Sequence, residues 1–384
     1  MLIIRELRGF WDRRKFVMLP WKVNRGNPNF VPPLISAEME LCNPQKHPFY
    51  KEGLGRFFLA ERDGVAVGRI AALRNPAYER HWNDHSGFFG FFECAEGGEK
   101  GLETTQALLG KAREVLRGWG LARFQGPASP SSNYGFGSLV EGFGVPPKLM
   151  MAYNPASYDG LLKGSGLKQS KDLLAFHLDH NQDISRIQRV AARVAERHSI
   201  RVRSIDMKKF WSEVGLIKDI YNGAWQYNWG FSPMSDAEFH HMAKEMKDLV
   251  DTDLLMFAEI AGKPAAFCMA LPDFNEVQIR LNGRLMTPWA FPRLLFHAYV
   301  WPKIHSVRIL TLGALKEYQH LGIGTLFYVR CYEAGKRHGY HSGEASWILE
   351  DNAPMVQALQ AMGGRITKRY RIYEGNSMVV SSGL

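Results

Sequence analysis

The sequence predicts an α/β protein (α+β in some schemes) of two tandem domains, each a mixed, mostly antiparallel sheet flanked by helices. Three observations predict it. The chain has 384 residues, beyond the ~250–300 at which a single hydrophobic core stops growing. Hydrophobic residues make up 46% and charged residues 22%, the balance of an ordinary globular chain. The order of strands and helices in the C-terminal half recurs, more loosely, in the N-terminal half. The join falls in the polar stretch 180–186, which places one domain at 1–183 and the other at 184–384.

In the second half, 200–206 (IRVRSID) alternates as a strand, and Phe210, Val214, Ile217 and Tyr221 mark one face of a helix over 207–221. Ser235 and Glu238 have capping-box spacing, which opens a helix to about Leu249. Residues 254–260 and 265–271 form a hairpin across Ala261–Pro264. The stretch 272–303, rich in Pro, Trp and Phe, reads as irregular. A strand at 304–312 follows, then a Gly-containing loop, a helix over 322–337 stopped by Gly339, a strand at 344–349, a helix at 354–362 and a last strand at 366–373. In the first half the matching pieces are strands at 2–5, 56–62, 66–73, 87–94, 123–126 and 173–178, with a helix at 103–119.

The net charge of +10 is spread over both halves, with 23 Lys and Arg against 19 Asp and Glu before residue 184. A diffuse excess suits an anionic ligand and gives no argument for nucleic acid. The densest basic run, Lys368–Arg371, reads as alternating exposed positions on a late strand. Four scattered cysteines without a Cys-x-x-Cys pair fit neither a disulfide framework nor a zinc site, and no metal is expected. No apolar run reaches the ~20 residues that span a bilayer, and the N-terminus does not read as a signal peptide. The expectation is a cytoplasmic protein without a membrane partner.

Gln319-His320-Leu321-Gly322-Ile323-Gly324 follows a strand and opens a helix. Unpartnered amides and the helix dipole make such a start a phosphate site, and glycine lets a bulky anion approach the backbone. With the strand before it, Thr325 after it and Asn352 opening the next helix, this stretch resembles the signature of GNAT (GCN5-related) N-acetyltransferases. The element order resembles that family throughout the second half. The resemblance implies direct acyl transfer from an acyl-CoA, acetyl-CoA in the first instance, to a small-molecule or peptide amine. It implies that Gln319, Gly322, Ile323, Gly324 and Thr325 cradle the CoA pyrophosphate. Leu312, Gly313 and Leu315 would pair with the pantetheine, and Asn352 would contact the cofactor arm.

The base candidates are Glu344 and Glu350, which alternation puts on one face with Ser346. Many family members carry a tyrosine as acid where this chain has Leu359, which leaves Tyr328, Tyr332, Tyr370 and Tyr373 as substitutes. Trp225, Asn228 and Trp229, between the first two helices, fit either an acceptor pocket or core anchors, and Arg284 could recognise an acceptor carboxylate or phosphate. The first half lacks the loop: Glu96, Glu99 and Glu103 would repel a pyrophosphate, so it reads as a degenerate copy. Alternatives are a tandem transferase using a longer acyl-CoA or aminoacyl-tRNA, and a non-catalytic CoA-binding regulator. The chain could be a monomer or a homodimer.

Overall fold

The computed structural model describes residues 1–284 and 304–377. Its contacts group into two units. The first holds Met1–Leu173 with 277–284 and 368–377, and the second holds Leu174–Glu276 with 304–367.

In the first unit, β1 (Leu2–Glu6), α1 (Phe10–Val23) and α2 (Ile35–Leu41) precede the hairpin β2 (Leu54–Arg62) and β3 (Val65–Arg74). Asp63 and Gly64 turn it with φ of 51° and 79°, the left-handed pair that matches strand twist. The Asn75 side chain caps α3 (Pro76–Trp82) by accepting from the Ala77 and Tyr78 amides. Then come β4 (Ser86–Cys94), buried along its whole length, and α4 (Gly98–Gly118). The run continues through β5 (Arg123–Gly126), β6 (Ala128–Ser129), β7 (Gly135–Phe136), β8 (Ser138–Glu141), α5 (Ser157–Gly164) and β9 (Lys168–Asp179). Leu108, Leu109, Ala112 and Leu116 of α4 share a core with Phe58, Ile70 and Phe89 of the strands. The amphipathic helix and the half-apolar strands exist to close that core.

The second unit continues with α6 (Ser185–Arg197), β10 (Ile200–Ser204), α7 (Phe210–Trp225), α8 (Asp236–Met246), β11 (Leu255–Ile260) and β12 (Lys263–Pro272), and α9 (Asn275–Leu281) follows, grouping from Val277 on with the first unit. From residue 304 come β13 (Ser306–Ala314), α10 (Ile323–His338), β14 (Ser342–Leu349) and α11 (Ala353–Ala361) of the second unit, then β15 (Arg365–Asn376), which from Lys368 on groups with the first. The capping box expected at Ser235 and Glu238 opens α8. The strand order is β10-β11-β12-β13-β14-β9. All neighbours from β10 to β13 are antiparallel, and β13 with β14 is parallel. Alternation divides the strands between two cores. Met256, Cys268, Val307, Ile309 and Ala345 join Ala191, Phe327 and Leu359 of α6, α10 and α11 on one face. Leu255, Phe257 and Phe267 join Phe210, Val214 and Ile217 of α7 on the other.

The fold class is the expected one. Locally, three readings need correction. The stretch expected to be irregular contains α9, whose short Val277–Leu281 spacing was hidden among Pro and Phe; 285–303 lies outside the described residues. The helix expected at 103 begins five residues earlier, directly after Gly97. The basic run 368–371 is not an exposed alternation: Lys368 is 2% exposed, and Arg371 grips Asp172 through two hydrogen bonds of 2.8 Å. Strand β15 lies within a sheet, where a charge persists only if it is paired. The final strands are also exchanged. β9 neighbours β14 in the second unit, and β15 pairs with β5 through Tyr373–Asn376 in the first.

Candidate active site

Strand β13 carries a bulge. Met269 faces Thr311 and Ala270 faces Ile309, so Leu310 is an extra residue that bends and twists the strand. The parallel ladder to β14 stops at the same level. It covers Ser306–Ile309 with Ser342–Ala345, while the strands run on to Ala314 and Leu349. Two parallel neighbours thus diverge into a wedge, and the backbone of β13 past Ile309 lies outside the ladder to β14. Buried polar atoms stand on both walls: Thr311 Oγ1 and Trp347 Nε1 have no hydrogen-bond partner among the described residues. Such atoms are rare in folded proteins. A diverging strand edge of this kind can take an extended ligand as an added strand.

At the end of β13 a 3₁₀ turn, Lys316–Leu321, leads to Gly322 at φ 75°, and α10 starts at Ile323. Gly322 is required by that left-handed φ. Gly324 is not required by packing: an added Cβ would meet nothing nearer than Leu312 Cδ2 at 3.6 Å. No side chain caps α10, whereas Asn352 caps α11 by accepting from the Met355 amide at 3.3 Å. The Thr325 N–H donates to Gly322 O at 3.0 Å, and Gln319 Nε2 donates to Ala314 O at 3.1 Å. Ile323 is buried and Leu315 N–H donates to Ala265 O at 2.9 Å, which fixes the strand end that leads into the loop. The amides of the first turn, at the positive end of the helix dipole, thus lie beside open space at Gly324, an arrangement that can receive an anion.

On the α7 face of the sheet lies a buried polar chain. Glu344, Ser346 and Arg308 are 1%, 2% and 3% exposed. The Ser346 hydroxyl donates to Glu344 Oε1 at 3.0 Å. Arg308 donates through Nε to Ser346 Oγ and through Nη2 to Ser346 O, each at 3.0 Å. Its guanidinium lies 5.2 Å over the Trp347 ring, and Arg308 stands opposite Glu344 in the ladder. A carboxylate so deeply buried needs this cationic and hydrogen-bonded surround. Glu350, expected beside it, instead sits exposed in the turn beyond β14. Arg308 escaped sequence reasoning, although a lone arginine between Val307 and Ile309 in an apolar strand was a readable signal.

The tyrosines are committed elsewhere. Leu359 is fully buried in the α10–α11 core, so its position faces away from solvent. The Tyr328 hydroxyl donates to Met355 Sδ at 3.4 Å, and burial pushes it well above the usual phenol range. Tyr332 donates to the carbonyls of His180 and Gln182, at 2.7 and 3.0 Å. In the first unit Tyr373 donates to Asp159 at 2.7 Å, and Tyr370 is buried.

Trp225 ends α7, stacks 5.0 Å from Tyr221 and covers Gly313. A Cβ at Gly313 would fall 2.1 Å from Trp225 Cζ3. Gly313→Val is therefore expected to destabilise the protein by about 1–3 kcal/mol or more through overpacking, read as a shifted denaturant midpoint. An unchanged midpoint would mean that Trp225 is not seated there. Asn228 shapes the turn after α7: its N–H donates to Trp225 O at 2.8 Å, and its carbonyl accepts from Phe231 at 3.1 Å. Trp229 beside it is half-buried. Arg284 is exposed and belongs to the first unit, where neighbouring Gly283 packs against Trp21 and Pro33.

The first unit shows the same divergence, closed. The parallel ladder of β4 and β5 covers Ser86–Phe88 with Arg123–Gln125. Beyond it the chain's own β6 lies against β4: a Cβ at Gly90 would fall 1.8 Å from Ala128 O, and Phe91 N–H donates to Ser129 Oγ at 2.8 Å. At the start of α4, Glu96 O occupies the space beside Gly101, 2.5 Å from where a Cβ would stand. Arg62 holds the Glu96 and Glu103 carboxylates at 2.8 and 2.7 Å.

No family model matches the chain. It is 31% identical over 368 residues to a protein named bacterial ceramide synthase from Caulobacter vibrioides, with 94% of each chain covered. It is 30% identical over 379 residues to protein YghO of Escherichia coli K12, covering 97% of this chain and 95% of that one. A solved tandem GNAT protein from the clavulanic acid biosynthesis pathway matches with a TM-score of 0.56 at 12% identity, over 98% of this chain and 99% of its own. This chain has the tandem GNAT fold. It belongs to one family with the two sequence relatives. Together the GNAT fold and these relatives support an acyltransferase. Within this GNAT pair, the second unit carries the open wedge and open loop, and the first carries the closed ones. Among the described residues no helix is long and apolar enough to cross a membrane, and no group of three or more His, Cys, Asp or Glu could hold a metal.

Proposed function

We propose that the chain is an acyl-CoA-dependent N-acyltransferase that forms an amide on a long-chain amino alcohol. Residues 184–384 would carry the reaction and 1–183 would be a copy that binds no donor. The observation that carries the reading is the wedge between β13 and β14 meeting an uncapped, glycine-opened helix start at its end. The acceptor class rests on the relative's printed name, since a ceramide is the amide of a fatty acid with such an amino alcohol. A donor with a chain longer than acetyl rests on the same printed name, since the acyl part of a ceramide is a fatty acid.

When bound, the thioester supplies an activated carbonyl and a thiolate leaving group. The residues Gln319 to Thr325 would hold the pyrophosphate on the first-turn amides, and Leu312 to Leu315 would offer backbone groups to the pantetheine, with Asn352 near the arm. Glu344, oriented by Ser346 and Arg308, would take the proton of the attacking amine as the C–N bond forms and the C–S bond breaks. Tyr328 and Tyr332 are already engaged, so the thiolate would take its proton from water. Trp229 and Asn228, on the turn after α7, would border the acceptor.

The test is thiol release and amide detection with acyl-CoA donors from acetyl to palmitoyl, against sphinganine, ethanolamine and a peptide amine. Turnover is expected with fatty acyl-CoA and sphinganine. Acetyl transfer to the peptide alone would overturn the acceptor and chain-length readings, and no thiol release from any pair would overturn the transferase.

A further inference from the structure

Helix α1 places two large aromatics in water. Phe10 is 57% and Trp11 72% exposed, and the two rings meet edge to face at 5.3 Å. Isolated exposed apolar residues are ordinary; two adjacent aromatics on one helical turn are a patch. The turn into them is built by Gly9, which has a left-handed φ of 84° with nothing within 4 Å of a hypothetical Cβ. The helix is seated in the core through Phe16, Leu19 and Pro20 on its far side and through Val17 further along. The outward face is therefore a deliberate one in the sense that α1 is firmly seated without it.

The charges around the patch are sorted. The acidic groups are engaged internally: Arg5 pairs with Asp12 at 2.8 Å and with Glu61 at 2.7 Å, and Asp12 also accepts from the Arg8 amide at 2.7 Å. The cations point outward. Arg14 and Lys15 stand four residues after Phe10 and Trp11, one turn along the same exposed face. Arg8 is exposed just before them. Among the described residues the side chains of Arg8 and Arg14 make no ion pair, and Lys15 reaches Glu61 only at 4.0 Å. Ile3, 50% exposed, is on the same side of β1 as Arg5, which reaches Asp12 of α1.

We infer that the Phe10–Trp11–Arg14–Lys15 face of α1 docks on an anionic lipid surface. Aromatic rings seat at the boundary of headgroups and acyl chains, while Arg and Lys meet lipid phosphates. Charge complementarity selects that partner, since the patch presents cations beside rings and the whole chain carries +10. This departs from the expectation of no membrane partner, which rested on the lack of a spanning segment; lying on a bilayer needs none. The inference stands on α1 alone, and the proposed lipid-like acceptor gives it a purpose.

The test is flotation of the full chain with vesicles of phosphatidylcholine, with and without phosphatidylglycerol. Binding is expected to the anionic vesicles and to weaken with added salt. Phe10→Ser with Trp11→Ser should weaken it about tenfold or more, and Arg14→Glu with Lys15→Glu by at least as much. Both pairs are exposed, so melting temperatures should hold, and the two variants check each other if one folds poorly. Failure of the wild-type chain to float, or wild-type binding by both variants, would overturn the inference. So would a change of self-association in light scattering without loss of vesicle binding, which would make the face a contact between copies. Thiol release with a soluble short-chain amine is expected to be unchanged in both variants, which separates this outcome from failure of the transferase reading.

Discussion

Gly324→Glu is expected to raise the Kd for CoA by about 100-fold or more while leaving the melting temperature within a few degrees. The reason lies in the two glycines of the loop. At Gly324 an added Cβ meets only Leu312 Cδ2 at 3.6 Å, an ordinary contact, so the fold tolerates a side chain there. A carboxylate at that point would fill the approach to the first-turn amides and repel a pyrophosphate, exchanging a charge-assisted set of hydrogen bonds for repulsion. Gly322→Ala has the reverse profile: at φ 75° it strains the backbone by roughly 1–2 kcal/mol, so stability should fall more than affinity at saturating donor. Isothermal titration with thermal melting on both variants separates the two. Wild-type affinity in Gly324→Glu would remove the loop from the donor site.

Glu344→Gln is expected to lower kcat by about 10²–10⁴-fold, the range for losing a general base, with the Kd for CoA unchanged. The amide oxygen can still accept from Ser346, whose hydroxyl stands 3.0 Å from Glu344 Oε1, so orientation is kept while basicity is lost. The substitution also leaves the buried Arg308 without its opposite charge in the ladder, so the melting temperature should fall. Rates must therefore be measured well below it. Glu350→Gln, in the exposed turn, is expected to stay within a few-fold of wild type. Equal losses in both variants, or a kcat near wild type for Glu344→Gln, would move the base elsewhere.

Much of the second unit was legible because its signals are local. The capping box at Ser235, the turn at Ala261-Gly262 and the stop at Gly339, like the turn at Asp63-Gly64 in the first unit, each depend on residues within a few positions of one another. The loop from Gln319 to Gly324 was legible for the same reason. What stayed hidden depends on distant neighbours. Nothing within 168–179 or 365–376 says which sheet each strand completes, because pairing is fixed by long-range packing. Arg369 and Arg371 read as surface until Asp172 is beside them. The surroundings of Glu344 were half visible: alternation placed it with Ser346, but Arg308 joins them from another strand. Glu350 shows the limit of alternation, which holds only while the strand lasts, and β14 ends at Leu349. Trp225 was balanced between pocket and anchor because only the bare backbone of Gly313 reveals what the ring rests on.

The filled divergence in the first unit has a thermodynamic meaning. There β6 lies in the place that an extended ligand would take, with Ser129 bonded to the Phe91 amide. That half is in effect permanently liganded by its own chain, at an effective concentration no dissolved molecule matches. Among the described residues the other half has no such tenant, and on the proposed reading it would gain the equivalent stabilisation only when donor is present. If the proposed donor site is right, the order of one half would be independent of metabolite supply and the order of the other would report it.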